Sequence, residues 1–180
     1  LLASSLCINS AHPDSTDSDE TRLDMGAFPY LTDNVSPDWY VMTSGSDLIG
    51  TGTFENPFSS IQAGLNFAME NDTVNVGSGT YEENIVWPIL TSGIKLLGEG
   101  IDNSIIDGGG NGSVIIIDTW MFGGTASQID SSTHISGFTI QNGATQNGQY
   151  AGGIYLSWAG ATLTDLDIRD NNDFKNRKIG

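Results

Sequence analysis

The chain has 180 residues, 38% of them hydrophobic, and carries 22 Asp and Glu against 6 Lys and Arg, a formal net charge of -16. Such a field repels nucleic acid and anionic lipid surfaces, so neither is expected as a partner, and it slows polyanionic glycans unless cations or a local basic groove intervene. No apolar run approaches the roughly 20 residues that a transmembrane helix needs, so membrane insertion is not expected either.

Residues 1 to 33 are acidic and turn-rich, running through His12-Pro13-Asp14-Ser15-Thr16-Asp17-Ser18-Asp19-Glu20 to the apolar end Met25-Gly26-Ala27-Phe28-Pro29-Tyr30. Asp14, Asp17, Asp19 and Asp24 offer hard oxygen ligands of the kind calcium takes. The glycine and terminal glutamate of an EF-hand loop are missing, and acidic turns are commonly just solvated, so both readings stand. A single cysteine, Cys7, excludes an internal disulfide and is flanked by Leu6 and Ile8, as a small buried apolar residue would be. The first residue is Leu, and Leu6 does not suit a lipoprotein cleavage site, so the N-terminus is expected to come from something longer.

Residues 34 to 56, with Asn34, Ser36-Pro37, Gly45, Gly50 and Gly52, read as a linker followed by a short lead-in segment. From Pro57 the pattern becomes regular. Phe58, Ile61, Leu65, Ala68 and Met69 recur at helical spacing and predict one short helix, ended by Asn71-Asp72.

Short strands follow, bounded by glycine and asparagine. Alternation in Thr73–Gly77, Ile94–Leu96, Phe138–Ile140 and Leu166–Ile168 places Val74, Val76, Ile94, Leu96, Phe138, Ile140, Leu166 and Ile168 on one inward face. Asn75, Lys95, Thr139, Gln141, Asp167 and Arg169 then face outward. Further strands are expected at Ser104–Asp107, Ser113–Ile117 and Gly153–Leu156. A spacing of about 20 residues between equivalent strands, nearer 28 later, matches a stacked repeat with variable turns rather than helical crossovers.

Asn56–Gln62, Asn71–Ile85, Ile94–Gly98, Ser104–Gly108, Ile135–Gly143, Gly152–Tyr155 and Leu163–Asn171 occur in an order that resembles the opening of pectin-lyase-like right-handed β-helix domains. The resemblance covers about two thirds of the chain. It implies an all-β fold, a right-handed parallel β-helix (solenoid) with a short N-terminal capping α-helix that plugs the open end of the stack. Asn142 and Asp170 fall at matching places after Ile140 and Ile168, which suggests a ladder of turn side chains bonding neighbouring coils. Residues 1 to 33 resemble the C-terminal tail of the same kind of bacterial protein, with Glu20 where a glycine is usual. The expected organisation is a module tail (1–33), a linker (34–56), and the cap and first coils of a second module (57–180).

Function is less specified than fold. The resemblance implies a secreted or cell-surface protein with an adhesion or glycan-binding role, or the N-terminal part of a lyase acting on acidic polysaccharide. Trp87, Trp120, Tyr155 and Trp158 lie in or beside turns, where aromatic faces stack on sugar rings or pack against loops. Asp167 and Arg169 share the outward face, with Lys95 and Gln141 on stacked strands. The resemblance makes Asp167, Arg169 and Lys95 candidates for removing a proton alpha to a uronate carboxyl and neutralising the enolate, though one Asp and one Arg at alternate strand positions is more commonly an ordinary surface pair. His12 and His134 have no partner at useful spacing and receive no role.

Overall fold

The computed structural model describes residues 38–120, 129–145 and 151–172. Among the described residues are ten strands and one helix, in the order β1 Asp38–Val41, α1 Ile61–Phe67, β2 Thr73–Val76, β3 Gly79–Glu82, β4 Ile85–Val86, β5 Lys95–Gly98, β6 Ser104–Asp107, β7 Ile115–Asp118, β8 His134–Gln141, β9 Ile154–Ser157 and β10 Thr162–Ile168. Every strand pairing among the described residues is parallel.

Successive repeats of the chain contribute to three ladders. The first runs β1, β2, β5 and the N-terminal half of β8. The second runs β3, β6 and the C-terminal half of β8, and β10 lies along both halves of β8. The third is β4, β7 and β9. Val74, Leu96 and Ile135 therefore stand in one inward column, Tyr81, Ile106 and Ile140 in a second, and Ile85 and Ile115 in a third, all of them buried in one core cluster.

The inward residues Val74, Val76, Ile94, Leu96, Phe138 and Ile140 are buried as the alternation requires. Three details differ from it. Leu96 pairs with Ile135 and not with the Phe138–Ile140 stretch, which belongs to the second ladder beside Ile106. Thr139 is 1% exposed, because its Oγ1 donates to the Ile101 carbonyl (2.6 Å) and the turn before β6 covers it. Ile168, on the last described strand, is 49% exposed. The repeat is also less even than expected, with 22 residues from Val74 to Leu96, 39 from Leu96 to Ile135 and 28 from Ile135 to Leu163.

The helix packs on the first strands. Ser60 caps it, its Oγ accepting from the Ala63 N–H (3.2 Å), while the Glu83 carboxylate accepts from Ile61 N (2.8 Å) and Gln62 N (2.9 Å), so donors left over at the helix start are satisfied. Its end comes earlier than the apolar stripe suggests. Ala68 is already extended, and Asp72 Oδ2 takes the Met69 N–H (2.8 Å) together with Trp39 Nε1–H (2.8 Å). Phe58 and Phe67 stack at 4.9 Å beside Trp39, closing this end of the core.

The segment read as a linker contains β1, which pairs with β2 along its whole length. Its other edge is bonded by the lead-in, with Tyr40 N donating to Gly52 O (2.8 Å) and Met42 N to Phe58 O (2.9 Å). Turn side chains do link the repeats. Asn84 Nδ2 reaches Ser113 O (3.1 Å), Asn142 Nδ2 reaches Asp107 Oδ2 (2.7 Å), and Asn171 both donates to Ile140 O (2.9 Å) and accepts from Gly143 N (2.7 Å). In the last of these turns the backbone bonds are made by Asn171 rather than by its neighbour Asp170.

Candidate functional site

At the corner that leads from the third ladder back to the first, two indoles stand side by side. Trp120 and Trp158 are each 60% exposed, their ring centroids 5.7 Å apart at 40°. The backbone beneath them is firmly tied. Asp118 at the end of β7 accepts the Trp120 N–H (3.0 Å), and buried Thr119 donates its hydroxyl to the Trp158 carbonyl (2.6 Å). Thr119 N also bonds Ser157 O (3.1 Å), joining the two repeats directly beneath the rings. Trp158 has φ 53°, a left-handed conformation that costs a bulky L-residue on the order of 1–3 kcal/mol. That backbone conformation accompanies an exposed ring where an extended residue in the strand pattern would alternate inward or outward.

The other predicted aromatics behave differently. Tyr155 lies on β9 opposite Ile116, half-buried on the outer side of the third ladder. Trp87 is 1% exposed, its backbone N–H bonded to Ile116 O (2.9 Å) and its Nε1 lacking a hydrogen-bond partner among the described residues. It is a core residue and offers no face to a sugar. Ile85-Val86-Trp87 alternates buried, exposed, buried, so the same period of two that marks the strands places this ring inside.

Of the catalytic candidates, Asp167 and Arg169 meet at 3.1 Å, with side chains 38% and 51% exposed. The Arg169 Nε–H points to Gln141 Oε1 (3.5 Å), and Gln141 Nε2 donates to Asp107 Oδ2 (3.0 Å). Slight desolvation pushes the Asp107 carboxyl up, but bonds from Gln141, the Gly109 N–H and Asn142 outweigh it and hold the group below the usual carboxylate range. Lys95 does not join this row. It pairs with His134 in the first ladder, whereas Asp167 pairs with Thr139, five positions or about 16 Å of strand further on. The three residues therefore do not form one acid–base site, and the Asp167–Arg169 pair is an exposed one of the kind that contributes little by itself.

His134 does have a partner, contrary to the sequence reading. Its Nε2 lies 2.7 Å from Thr164 Oγ1, Thr164 donates to Ser136 Oγ (3.0 Å), and Ser136 donates to Asp165 Oδ2 (3.5 Å). The hint was local, since His134 and Ser136 alternate along one strand, but Thr164 reaches them only through the β8–β10 register.

The acidic quartet Asp14, Asp17, Asp19 and Asp24 lies outside the described residues. Among the described residues no group of three or more His, Cys, Asp or Glu is placed to hold a metal ion, and no helix is long and apolar enough to cross a membrane.

Neither the curated proteins nor the solved structures contain a match to the chain. The family described as protein of unknown function (DUF1565) matches residues 43–178, from the turn after β1 through all the later strands. The chain belongs to that family.

Proposed function

We propose that the chain is part of a secreted or cell-surface right-handed parallel β-helix protein, and that it binds glycan chains at the Trp120–Trp158 corner. Three parallel ladders fed by successive repeats, with a short helix packed at the first strands, support the β-helix reading. The observation that carries the binding reading is the exposed indole pair itself. Two large apolar rings, 60% in water and held by a bonded corner, form a platform of the sort that stacks on the apolar face of a sugar ring. A binding role is favoured over a lyase because Lys95 stands apart from Asp167 and Arg169, and because Arg169 is already engaged by Asp167 and Gln141.

The test is calorimetric titration of the purified chain with a panel of oligosaccharides, alongside Trp120→Ala and Trp158→Ala. Binding in the wild type that falls at least about tenfold in either variant, with circular dichroism unchanged, supports the platform; a truncation of one stacked ring is worth about 1–3 kcal/mol. Equal binding by wild type and both variants would remove it.

A further inference from the structure

Three dipeptides of the kind that close into a cyclic imide fall in the turns of neighbouring repeats. They are Asp107-Gly108 and Asn111-Gly112 after β6, and Asn142-Gly143 after β8. A fourth, Asn147-Gly148, lies outside the described residues. In each, the glycine nitrogen can attack the side-chain carbonyl carbon of the residue before it, because glycine has no side chain to crowd the approach. The reaction asks two things of the fold: a backbone N–H without another bond, and a side chain free to swing onto it.

At two of the turns the fold denies both. The Gly108 N–H donates to the Gln141 carbonyl (2.9 Å), and the Asp107 carboxylate is held by the Gly109 N–H (2.9 Å), Gln141 Nε2 (3.0 Å) and Asn142 Nδ2 (2.7 Å). The Gly143 N–H donates to Asn171 Oδ1 (2.7 Å), and the bond to Asp107 fixes the Asn142 amide. At Asn111-Gly112 it denies neither. Asn111 is exposed, and neither its side-chain amide nor the Gly112 N–H makes a hydrogen bond among the described residues. Only the tip of this turn is open, since its base is tied to the adjacent repeats. Gly110 N donates to Asn142 O (2.7 Å), Ala144 N donates to Gly112 O (2.8 Å), and Asn84 Nδ2 reaches both Gly108 O (3.3 Å) and Ser113 O (3.1 Å). Reaction at the tip therefore needs no unfolding.

We propose that Asn111 is a site of spontaneous deamidation in the folded protein, and that Asn142 is shielded from the same reaction by Asn171 and Asp107. The Gly112 nitrogen gives its proton to solvent hydroxide and bonds to Asn111 Cγ, and the side-chain nitrogen leaves as ammonia. Water then opens the imide at one of its two carbonyls, giving aspartate or its β-linked isomer. One water is consumed and one ammonia released, with no change of oxidation state. Each event adds a carboxylate to a chain whose net charge is already -16. The β-linked product also lengthens the backbone by one atom between Gly110 and Gly112, both of which bond to the turn of the next repeat.

The experiment incubates the full chain at mildly alkaline pH, folded in buffer and unfolded in guanidinium chloride. Tandem mass spectrometry of chymotryptic peptides locates each conversion. In the folded chain Asn111 is expected to convert at least about tenfold faster than Asn142, because the Gly143 bond must open before its nitrogen can react. In guanidinium chloride the two should convert at similar rates. Asn171→Ala, with its fold checked by circular dichroism, should let Asn142 convert while leaving the rate at Asn111 unchanged; if that variant does not fold, the comparison of folded and unfolded wild type decides. Equal rates at the two sites in the folded chain, or an Asn111 that converts only in guanidinium chloride, overturns the proposal. An Asn142 that stays intact in folded Asn171→Ala overturns the shielding by Asn171.

Discussion

Gly98 and Gly137 face one another across successive repeats so closely that a Cβ on either would come within 3.0 Å of the other's carbonyl oxygen. Gly137 sits in the middle of β8 with φ 80°, and there the strand bends from the first ladder into the second. Side-chain parity shifts at the bend, so that Ile135 and Phe138, three apart, are both buried. Gly137→Ala adds a left-handed alanine and a backbone clash, and a loss of about 2–4 kcal/mol is expected in urea unfolding. Gly110, with φ 74° and nothing near its missing Cβ, isolates the first part. Gly110→Ala should lose only about 1–2 kcal/mol. Equal losses in the two variants would show that the contact with Gly98 is unimportant.

Gly64 in α1 presents the opposite balance. Replacing a glycine inside a helix by alanine ordinarily gains about 1 kcal/mol. Here the added methyl would lie 2.9 Å from both Val41 Cγ2 and Val74 Cγ1, on which the helix rests. Overpacking costs about 1–3 kcal/mol, so the net change expected from Gly64→Ala is destabilising. Combining it with Val74→Ala tests the cause, because the shared contact makes the pair non-additive. If the double variant loses the full sum of the two single losses, the helix is not seated through Gly64.

The same bend at Gly137 explains where sequence reading succeeds and where it stops. Val74, Val76 and Leu96 lie on strands without an interruption, and simple alternation assigns their faces correctly. Across β8 a period of two fails, since Gly137 resets it, and the partner of Leu96 is Ile135 rather than a residue of the Phe138–Ile140 stretch. Trp87 continues the alternation of Ile85 and Val86, although the sequence places it in or beside a turn. The corner of Trp120 and Trp158 depends on a 39-residue repeat between β7 and β9, and the His134–Thr164 bond on a register across 30 residues. Turn lengths of that kind follow no period, so local pattern names the residues without bringing them together.

The helix start carries two carboxylates whose pH effects oppose each other. Burial pushes Asp47 up, but hydroxyl and backbone donors of Ser60 and Ser59 outweigh it and leave the group below its ordinary 3.8. Its contribution is present above that value and is lost as pH falls through the lowered one. Burial pushes Glu83 up from 4.5, the Gln62 and Ile61 N–H groups offset only part of this, and the Asp47 charge adds to the rise. Its contribution is present below 4.5 and is lost as pH rises through the raised value. Asp47→Asn should therefore flatten the loss of stability on the acid side, and Glu83→Gln the decline on going from acid toward neutral pH. Melting temperatures across that range check both, and a Glu83→Gln profile parallel to the wild type would refute the assignment.

Tyr81 sets an alkaline limit. Its hydroxyl donates to the Gly77 carbonyl (3.0 Å) at the turn between β2 and β3, and the residue is 3% exposed. Burial, reinforced by the charges of Glu83 and Glu99 and only partly offset by the Thr43 backbone, pushes its pKa up to about 12 from 10.0. The folded state therefore holds the phenolic proton where the unfolded chain has begun to release it. The unfolded state binds fewer protons in this range, so stability is level below pH 10.0 and declines as pH rises toward about 12. Tyr81→Phe removes that decline, at a cost of about 1 kcal/mol at neutral pH for the lost hydrogen bond. Urea unfolding at a series of alkaline pH values, read with tyrosinate absorbance, distinguishes the outcomes. A Tyr81→Phe protein that weakens as steeply as the wild type would place the alkaline limit elsewhere, on another tyrosine or on the lysines.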